Sequence, residues 1–468
     1  MNKLMASAFR YAIPAVLVLI SLALLASPYP YLAPMPAAGL LALLWFGKRK
    51  LFPYLFYGIV MLIPFGAYRG LGGQFSFVRF HWIFAIALAA FVLIGILLRK
   101  TIPVEVRQGK FWAGVFLFYI INLFSALGST FPEVSAQFMI LLPAAYMLVA
   151  LGMIVVDQKG FAQTLPRVIV GSVFLSSVLA LLGSVFHLAL FVSPVTGRVI
   201  GGAPDPNNMS LMIIFSLPLA VYFLLTTRLP LARLAYMLII GADVAAVVAT
   251  FSRGGALILG FSILLMFWEF RRMIAPRNLG LLMGLGGLVV AAFLLLTPES
   301  YTQRVKSIRT ADDFSMRRRA SYLVVARDLV AERPLLGSGP DTFAQNYAAT
   351  EIGRSFKRKN FSGERSAHNT YVEVLVGTGF IGLAAFLIIL IYALHSFTCA
   401  QRRFSVTGRS RLALLTVAYR TSFLTLLMYL LLYSEINHKY LLVSLVVSQV
   451  ALRLAQTLPE EELDYVGS

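Results

Sequence analysis

The chain has 468 residues, of which 59% are hydrophobic and only 13% are charged, whereas about a quarter of the residues in a soluble domain are charged. Apolar runs long enough to cross a bilayer recur throughout, so the composition excludes a soluble protein and predicts one integral membrane domain over residues 1–468. The net charge of +20 would favour nucleic acid as the partner of a soluble chain. Here the basic residues cluster in short connections between apolar runs, which argues against that partner.

The apolar runs predict an all-α polytopic fold with about 12 to 14 transmembrane helices and one long loop, 298–369. The first run follows Lys3 and Arg10 and is followed at once by another, so we interpret it as an uncleaved first span and not as a secretion signal. Some neighbouring runs are separated only by Pro-rich or Gly-rich turns, and two such runs are also compatible with a single span. We therefore predict an even number of transmembrane helices, 12 or 14. The predicted spans are 11–27, 31–47, 51–67, 81–98, 111–128, 135–156, 168–193, 208–226, 234–250, 255–270, 279–297, 370–395, 412–433 and 440–456.

The charged connections predict the orientation of the chain. Basic and nearly neutral connections alternate, and the positive-inside rule assigns the basic side to the cytoplasm. Both termini are then cytoplasmic, and the loop 298–369 lies outside. The single cysteine, Cys399, excludes a disulfide or a cysteine-rich metal site within one chain. The basic clusters lie at 48–50, 99–110, 159–167, 228–233, 271–277 and 402–411.

Two arginines fall on the outer side, where short connections otherwise avoid positive charge. Arg198 lies among glycines and prolines in the connection 194–207, and Arg253 lies in Thr-Phe-Ser-Arg-Gly-Gly at 250–255. An arginine near a span end often extends its head group to the lipid phosphates, and that alternative stays open. A guanidinium is also the side chain best suited to a two-point grip on phosphate. Together they indicate an anionic ligand outside.

The long loop contains an amphipathic segment. Residues 315–332 place Tyr322, Leu323, Ala326, Leu329 and Val330 on one side at helical spacing, which predicts a helix lying against the membrane domain. The Gly-Ser-Gly-Pro that follows at 337–340 is more typical of a turn than of a phosphate-binding loop.

The loop ends in a polar segment that runs directly into an apolar helix. Ser366 or Asn369 is suited to cap that helix, in which case His368 is merely solvated. The alternative is functional, because an imidazole at the membrane surface, on the same side as Arg198 and Arg253, is suited to act as a base or as a hydrogen-bonding orienter. Glu373 either orients substrate or stabilises the helix start.

At three places the sequence resembles the O-antigen ligase and polymerase superfamily. The blocks are 250–255, Pro-Leu-Leu-Gly-Ser-Gly-Pro at 334–340, and the segment 367–383 that begins Ala-His-Asn-Thr-Tyr-Val-Glu. They occur in the family's order, with a long extracytoplasmic loop between the second and third. The resemblance implies a GT-C-like multi-span glycosyltransferase in the cell inner membrane, with its active site facing the periplasm.

The resemblance also implies the chemistry. The donor is a glycan on undecaprenyl diphosphate, and the acceptor in the ligases is a sugar hydroxyl of lipid A–core. His368 is expected to be catalytic, Arg198 and Arg253 to bind the diphosphate, and Asn369 and Glu373 to orient substrate. Transfer is expected to invert the anomeric centre and to need neither a metal nor another cofactor. An O-antigen polymerase and a protein O-oligosaccharyltransferase of the same superfamily remain open, and a lipid or polysaccharide transporter is the alternative from another class.

Overall fold

A computed structural model of the protein describes residues 52–68, 85–86, 88–89, 108–193, 197–271, 314–356 and 364–457. This part of the chain is helical, and its one β contact is an isolated bridge between Val192 and Val199. The predicted spans 11–27, 31–47 and 279–297, and most of 81–98, lie outside the described residues. The helices are α1 Phe52–Met61, α2 Gly109–Leu127, α3 Pro132–Val155, α4 Leu165–Val185, α5 Pro206–Thr226, α6 Pro230–Ala249, α7 Arg253–Phe270, α8 Phe314–Glu332, α9 Phe343–Ala349, α10 Glu351–Ser355, α11 Thr370–Val406, α12 Ser410–Tyr429 and α13 Lys439–Thr457.

Within these ranges, nine helices are long and apolar enough to cross a membrane, namely α2 to α7 and α11 to α13. Each corresponds to one predicted span, so the all-α polytopic fold is confirmed. Within the predicted span 51–67, α1 ends at Met61, and a 3₁₀ helix continues from Ile63 to Tyr68. Pro64 follows α1 within a 3₁₀ helix that is kinked at Phe65, and proline cannot donate the hydrogen bond that an α-helix requires.

The most enclosed spans are α5, α12 and α13. In the most apolar 18-residue stretch of each helix, 89%, 72% and 78% of the residues are buried, respectively. A helix that is apolar on every face is compatible with either lipid or protein around it, and the burial of nearly all residues of α5 shows that protein surrounds this one. The polar start of α5 is therefore fixed at one end of the bundle. The site lies at that end.

Helix α11 is interrupted at Gly379, which has φ 67° and ψ −171°, a conformation that is essentially restricted to glycine. Residues 334–339 satisfy the backbone groups that the break exposes. Ser338 N–H donates to the Val376 carbonyl at 2.8 Å, and Phe380 N–H donates to the Pro334 carbonyl at 2.8 Å. The Gly-Ser-Gly-Pro segment is thus a structural turn, and its backbone N–H groups serve α11.

The amphipathic helix α8 is confirmed, with one correction to its packed face. Tyr322, Val325 and Ala326 are buried, and they form a small core with Phe343 and Tyr347 of α9. Leu323, which the sequence placed on the packed face, is 56% exposed. Val325 takes the buried position instead, because the face of α8 that meets the membrane domain is rotated toward 322 and 325–326.

Candidate active site

His368 lies in the turn that leads into α11, and its backbone adopts a left-handed conformation with φ 50°. Asn369 is the helix cap, because its Oδ1 accepts the Val372 N–H at 3.1 Å. The Asn369 N–H donates to Ser434 Oγ at 2.9 Å. The half-buried His368 ring lies 6.0 Å from the Tyr322 ring, between centroids. The histidine therefore projects between the membrane domain and α8.

Glu373 lies one turn into α11, below the histidine. Its Oε1 accepts the Ala367 N–H at 2.8 Å, and the Ser434 hydroxyl interacts with the same carboxylate. The side chains of Asn369 and Glu373 are therefore both engaged with backbone N–H groups around His368. This favours support of the histidine over direct contact with substrate.

Arg198 and Arg253 lie in different loops, and hydrogen bonds connect these two loops. Arg198 Nε donates to the Thr250 carbonyl at 2.5 Å, two residues before the start of the Ser252-Arg253 pair. Ser252 caps α7 by accepting the Gly255 N–H at 3.0 Å. Ser252 Oγ also donates to Asn207 Oδ1 at 2.8 Å. The structure thus brings Arg198 and Arg253 to the same end of the bundle.

A third arginine, Arg319 of α8, lies near this group. It was not predicted from the sequence as a site residue. Burial and the nearby charge of Arg253 lower the pKa of the Arg319 guanidinium. Arg198 and Arg319 also both act electrostatically on the Tyr429 hydroxyl at the end of α12. The run Arg317-Arg318-Arg319 was the available signal, but the sequence alone did not show which of the three faces the bundle.

Burial and the neighbouring arginines keep the histidine neutral. Burial is the larger cause, and together with the charges of Arg319, Arg318 and Arg365 it lowers the pKa of His368 to about 4. The imidazole is therefore neutral near pH 7 and is able to accept a hydrogen bond from a hydroxyl. The cluster of positive charges favours an anionic ligand, and a bound anion would raise the pKa of His368 again.

Residues 234–387 match the family model described as O-antigen ligase. The match covers about a third of the chain and shows similarity to the O-antigen ligase family over this segment. The match confirms the resemblance drawn from the three sequence blocks, and no curated protein matches the chain. The O-antigen ligase segment contains Arg253, Arg319, His368, Asn369 and Glu373. Arg198 lies outside it, so its place in the site rests on the contact with Thr250.

The candidate site lies at the opposite end of the bundle from a group of basic residues. Arg167 at the start of α4 and Arg411 at the start of α12 both act on Tyr222 near the end of α5, and Arg167 lies 5.9 Å from the centre of the Phe223 ring. Arg198 and Asp205 precede the start of α5, at its other end. The basic clusters and the site are therefore separated by the length of the helices.

In the described segments, no three His, Cys, Asp or Glu side chains converge as a metal site would require. The independence from metal that the resemblance implies stays a prediction. The arginine cluster supplies the positive charge that a glycan diphosphate would need. Asp205 is the helix cap of α5 and accepts the Asn207 N–H at 2.8 Å.

Proposed function

We propose that this multi-pass membrane protein is an O-antigen ligase-type glycosyltransferase. It moves a glycan from undecaprenyl diphosphate to a sugar hydroxyl of lipid A–core, at the periplasmic face of the inner membrane. The observation that carries the proposal is the convergence of Arg198, Arg253, Arg319 and His368 at one end of the bundle, within a chain whose central segment is similar to this family.

The arginines act on the donor. When the acceptor oxygen attacks the anomeric carbon, the bond from that carbon to the diphosphate oxygen breaks and its electron pair leaves with the diphosphate. Fixed guanidinium groups stabilise this developing charge without a rearrangement of solvent. The charge of Arg253 adds to the effect of burial in lowering the pKa of Arg319, so the two guanidinium groups repel each other. A bound diphosphate would offset that repulsion.

His368 acts on the acceptor. Its neutral imidazole accepts the hydrogen bond of the attacking hydroxyl and takes its proton as the new glycosidic bond forms. A pKa of about 4 makes the free imidazole a weak base, so the proton transfer depends on the donor being bound. The negative diphosphate raises the basicity of the ring when the substrate is in place. Attack from the face opposite the diphosphate inverts the anomeric centre.

The separation of charge supports the proposed orientation of the site. The basic end of the bundle lies in the cytoplasm under the positive-inside rule, so the end with His368 faces the periplasm and both termini are cytoplasmic. Deleting the gene and separating the surface glycans by size tests the reaction in the cell. A ligase deletion leaves full-length chains that are not attached to lipid A–core, whereas a polymerase deletion leaves single repeat units. Unchanged attachment of full-length chains would contradict the proposal.

A further inference from the structure

His368 adopts a backbone conformation that is uncommon for residues other than glycine. Its φ of 50° lies in the left-handed region, which non-glycine residues occupy only where the surrounding structure holds them. The backbone N–H groups around it all donate hydrogen bonds. The Ala367 N–H donates to a residue of α11, and the N–H groups of Asn369 and Thr370 donate to residues far away in the sequence. The turn is therefore held from both sides.

Two side chains hold the N–H groups that directly flank His368. Glu373 accepts the Ala367 N–H at 2.8 Å, and Ser434 accepts the Asn369 N–H at 2.9 Å. Ala367 is 6% exposed, so its N–H would lose a hydrogen bond that water could not readily replace. Neither contact uses a functional atom of the imidazole. Both set the direction in which the imidazole projects.

Ser434 belongs to a turn between α12 and α13 that also reaches the arginine side of the site. Thr370 N–H donates to the carbonyls of Leu430 at 2.9 Å and Tyr433 at 3.0 Å. The Tyr433 hydroxyl donates to Asp205 Oδ2 at 3.1 Å and accepts from Asn208 Nδ2 at 2.9 Å. Adjacent residues of this turn thus bind the histidine turn and the start of α5. The turn 430–435 lies beyond the O-antigen ligase segment, which ends at 387.

We infer that Glu373 and Ser434 are positioning residues, which hold His368 toward the arginine cluster through the Ala367 and Asn369 N–H groups and do not touch substrate. The inference rests on the proposed function for what His368 does, but the position of the ring is measurable without transfer. Glu373 has a conservative replacement that separates positioning from acid chemistry. The glutamine Oε1 still accepts the Ala367 N–H, and its amide N–H₂ is able to donate to Ser434 Oγ.

The test compares Glu373→Gln, Glu373→Ala and Ser434→Ala in the purified full-length protein. Glu373→Ala should lower kcat by about 10- to 100-fold, the effect of displacing a catalytic group by about 1 Å, while the KM for the donor stays near wild type. Ser434→Ala should also lower kcat. Glu373→Gln should restore kcat almost to the wild-type value. Glu351→Ala is the matched control, because it removes an exposed glutamate from the nearby α10.

The second measurement does not depend on activity. Diethyl pyrocarbonate modifies accessible neutral imidazoles, and mass spectrometry reports the rate at His368. Release of the turn in Glu373→Ala should raise this rate several-fold, with no change in Glu373→Gln or Glu351→Ala. Loss of activity in Glu373→Gln equal to that in Glu373→Ala would overturn the inference, as would an unchanged modification rate in Glu373→Ala. A wild-type protein that transfers no glycan contradicts the proposed function, and the modification rates then decide the positioning role by themselves.

Discussion

Replacing Arg253 with lysine keeps the charge at the start of α7 and removes the planar fork of donors. Because lysine retains the positive field around Arg319, the difference between Arg253→Lys and wild type isolates the two-point grip on the diphosphate. Loss of one donor to a developing oxyanion costs about 2–4 kcal/mol, or roughly 30- to 1,000-fold in rate. Arg253 is only half-buried, so solvent screens part of the interaction and the lower half of that range applies.

The assay is transfer by purified protein from an undecaprenyl diphosphate-linked glycan, with kcat/KM for the donor measured for wild type, Arg253→Lys and Arg253→Ala. Arg253→Lys should be nearly as slow as Arg253→Ala. Arg271→Lys is the matched control, because Arg271 lies at the other end of α7 and stacks on Trp268, with Cζ 3.8 Å from the ring centre. If Arg253→Lys retains most of the wild-type kcat/KM, Arg253 contributes only general electrostatics and the proposed grip is wrong.

Three further predictions concern pH, folding and topology. The acid limb of kcat/KM for the donor, which reports the groups of the free enzyme, should lie near pH 4, because His368 with a pKa of about 4 is neutral and competent above that pH and is protonated below it. A limb near the ordinary histidine value of about 6.5 would show that burial and the arginines do not lower the pKa of His368. Gly379→Ala should lower the thermal unfolding temperature and the yield, since Gly379 has φ 67° and an added Cβ would overlap the Leu335 carbonyl, at a cost of at least about 1–3 kcal/mol. Gly260→Ala, where nothing lies within 4 Å, should stabilise α7 slightly, and equal effects of the two substitutions would refute the assigned role of the break. A cysteine introduced at Ser355 should react with a membrane-impermeant reagent in intact spheroplasts, and labelling only after lysis would reverse the orientation and the placement of the site.

The sequence was sufficient to predict the membrane fold because each span is a continuous apolar run. It predicted nine spans that the structure describes, but not the change from α1 to a 3₁₀ helix after Met61, since the apolar run continues past this point. Hydropathy does not report a proline-induced break inside a run. The same limit applies to α11, where the apolar run contains the break at Gly379.

The site was only partly accessible from the sequence. His368 and Arg253 were detectable because they lie in blocks that resemble the family, and Arg198 because it carries charge on the side predicted to be outside. Arg319 was not, since the helical phase of α8 decides which arginine of the run turns toward Arg253. The role of Ser434 depends on a contact between residues 65 positions apart, which no local pattern encodes.

The most direct test of the central claim is transfer of glycan from undecaprenyl diphosphate to lipid A–core by the purified protein in the presence of EDTA. Wild-type protein should form the joined product, and His368→Ala should form none while it binds the donor lipid with near wild-type affinity, because donor affinity comes mainly from the arginines. Transfer by His368→Ala at close to the wild-type rate, or wild-type activity that EDTA abolishes and a divalent ion restores, would contradict the account.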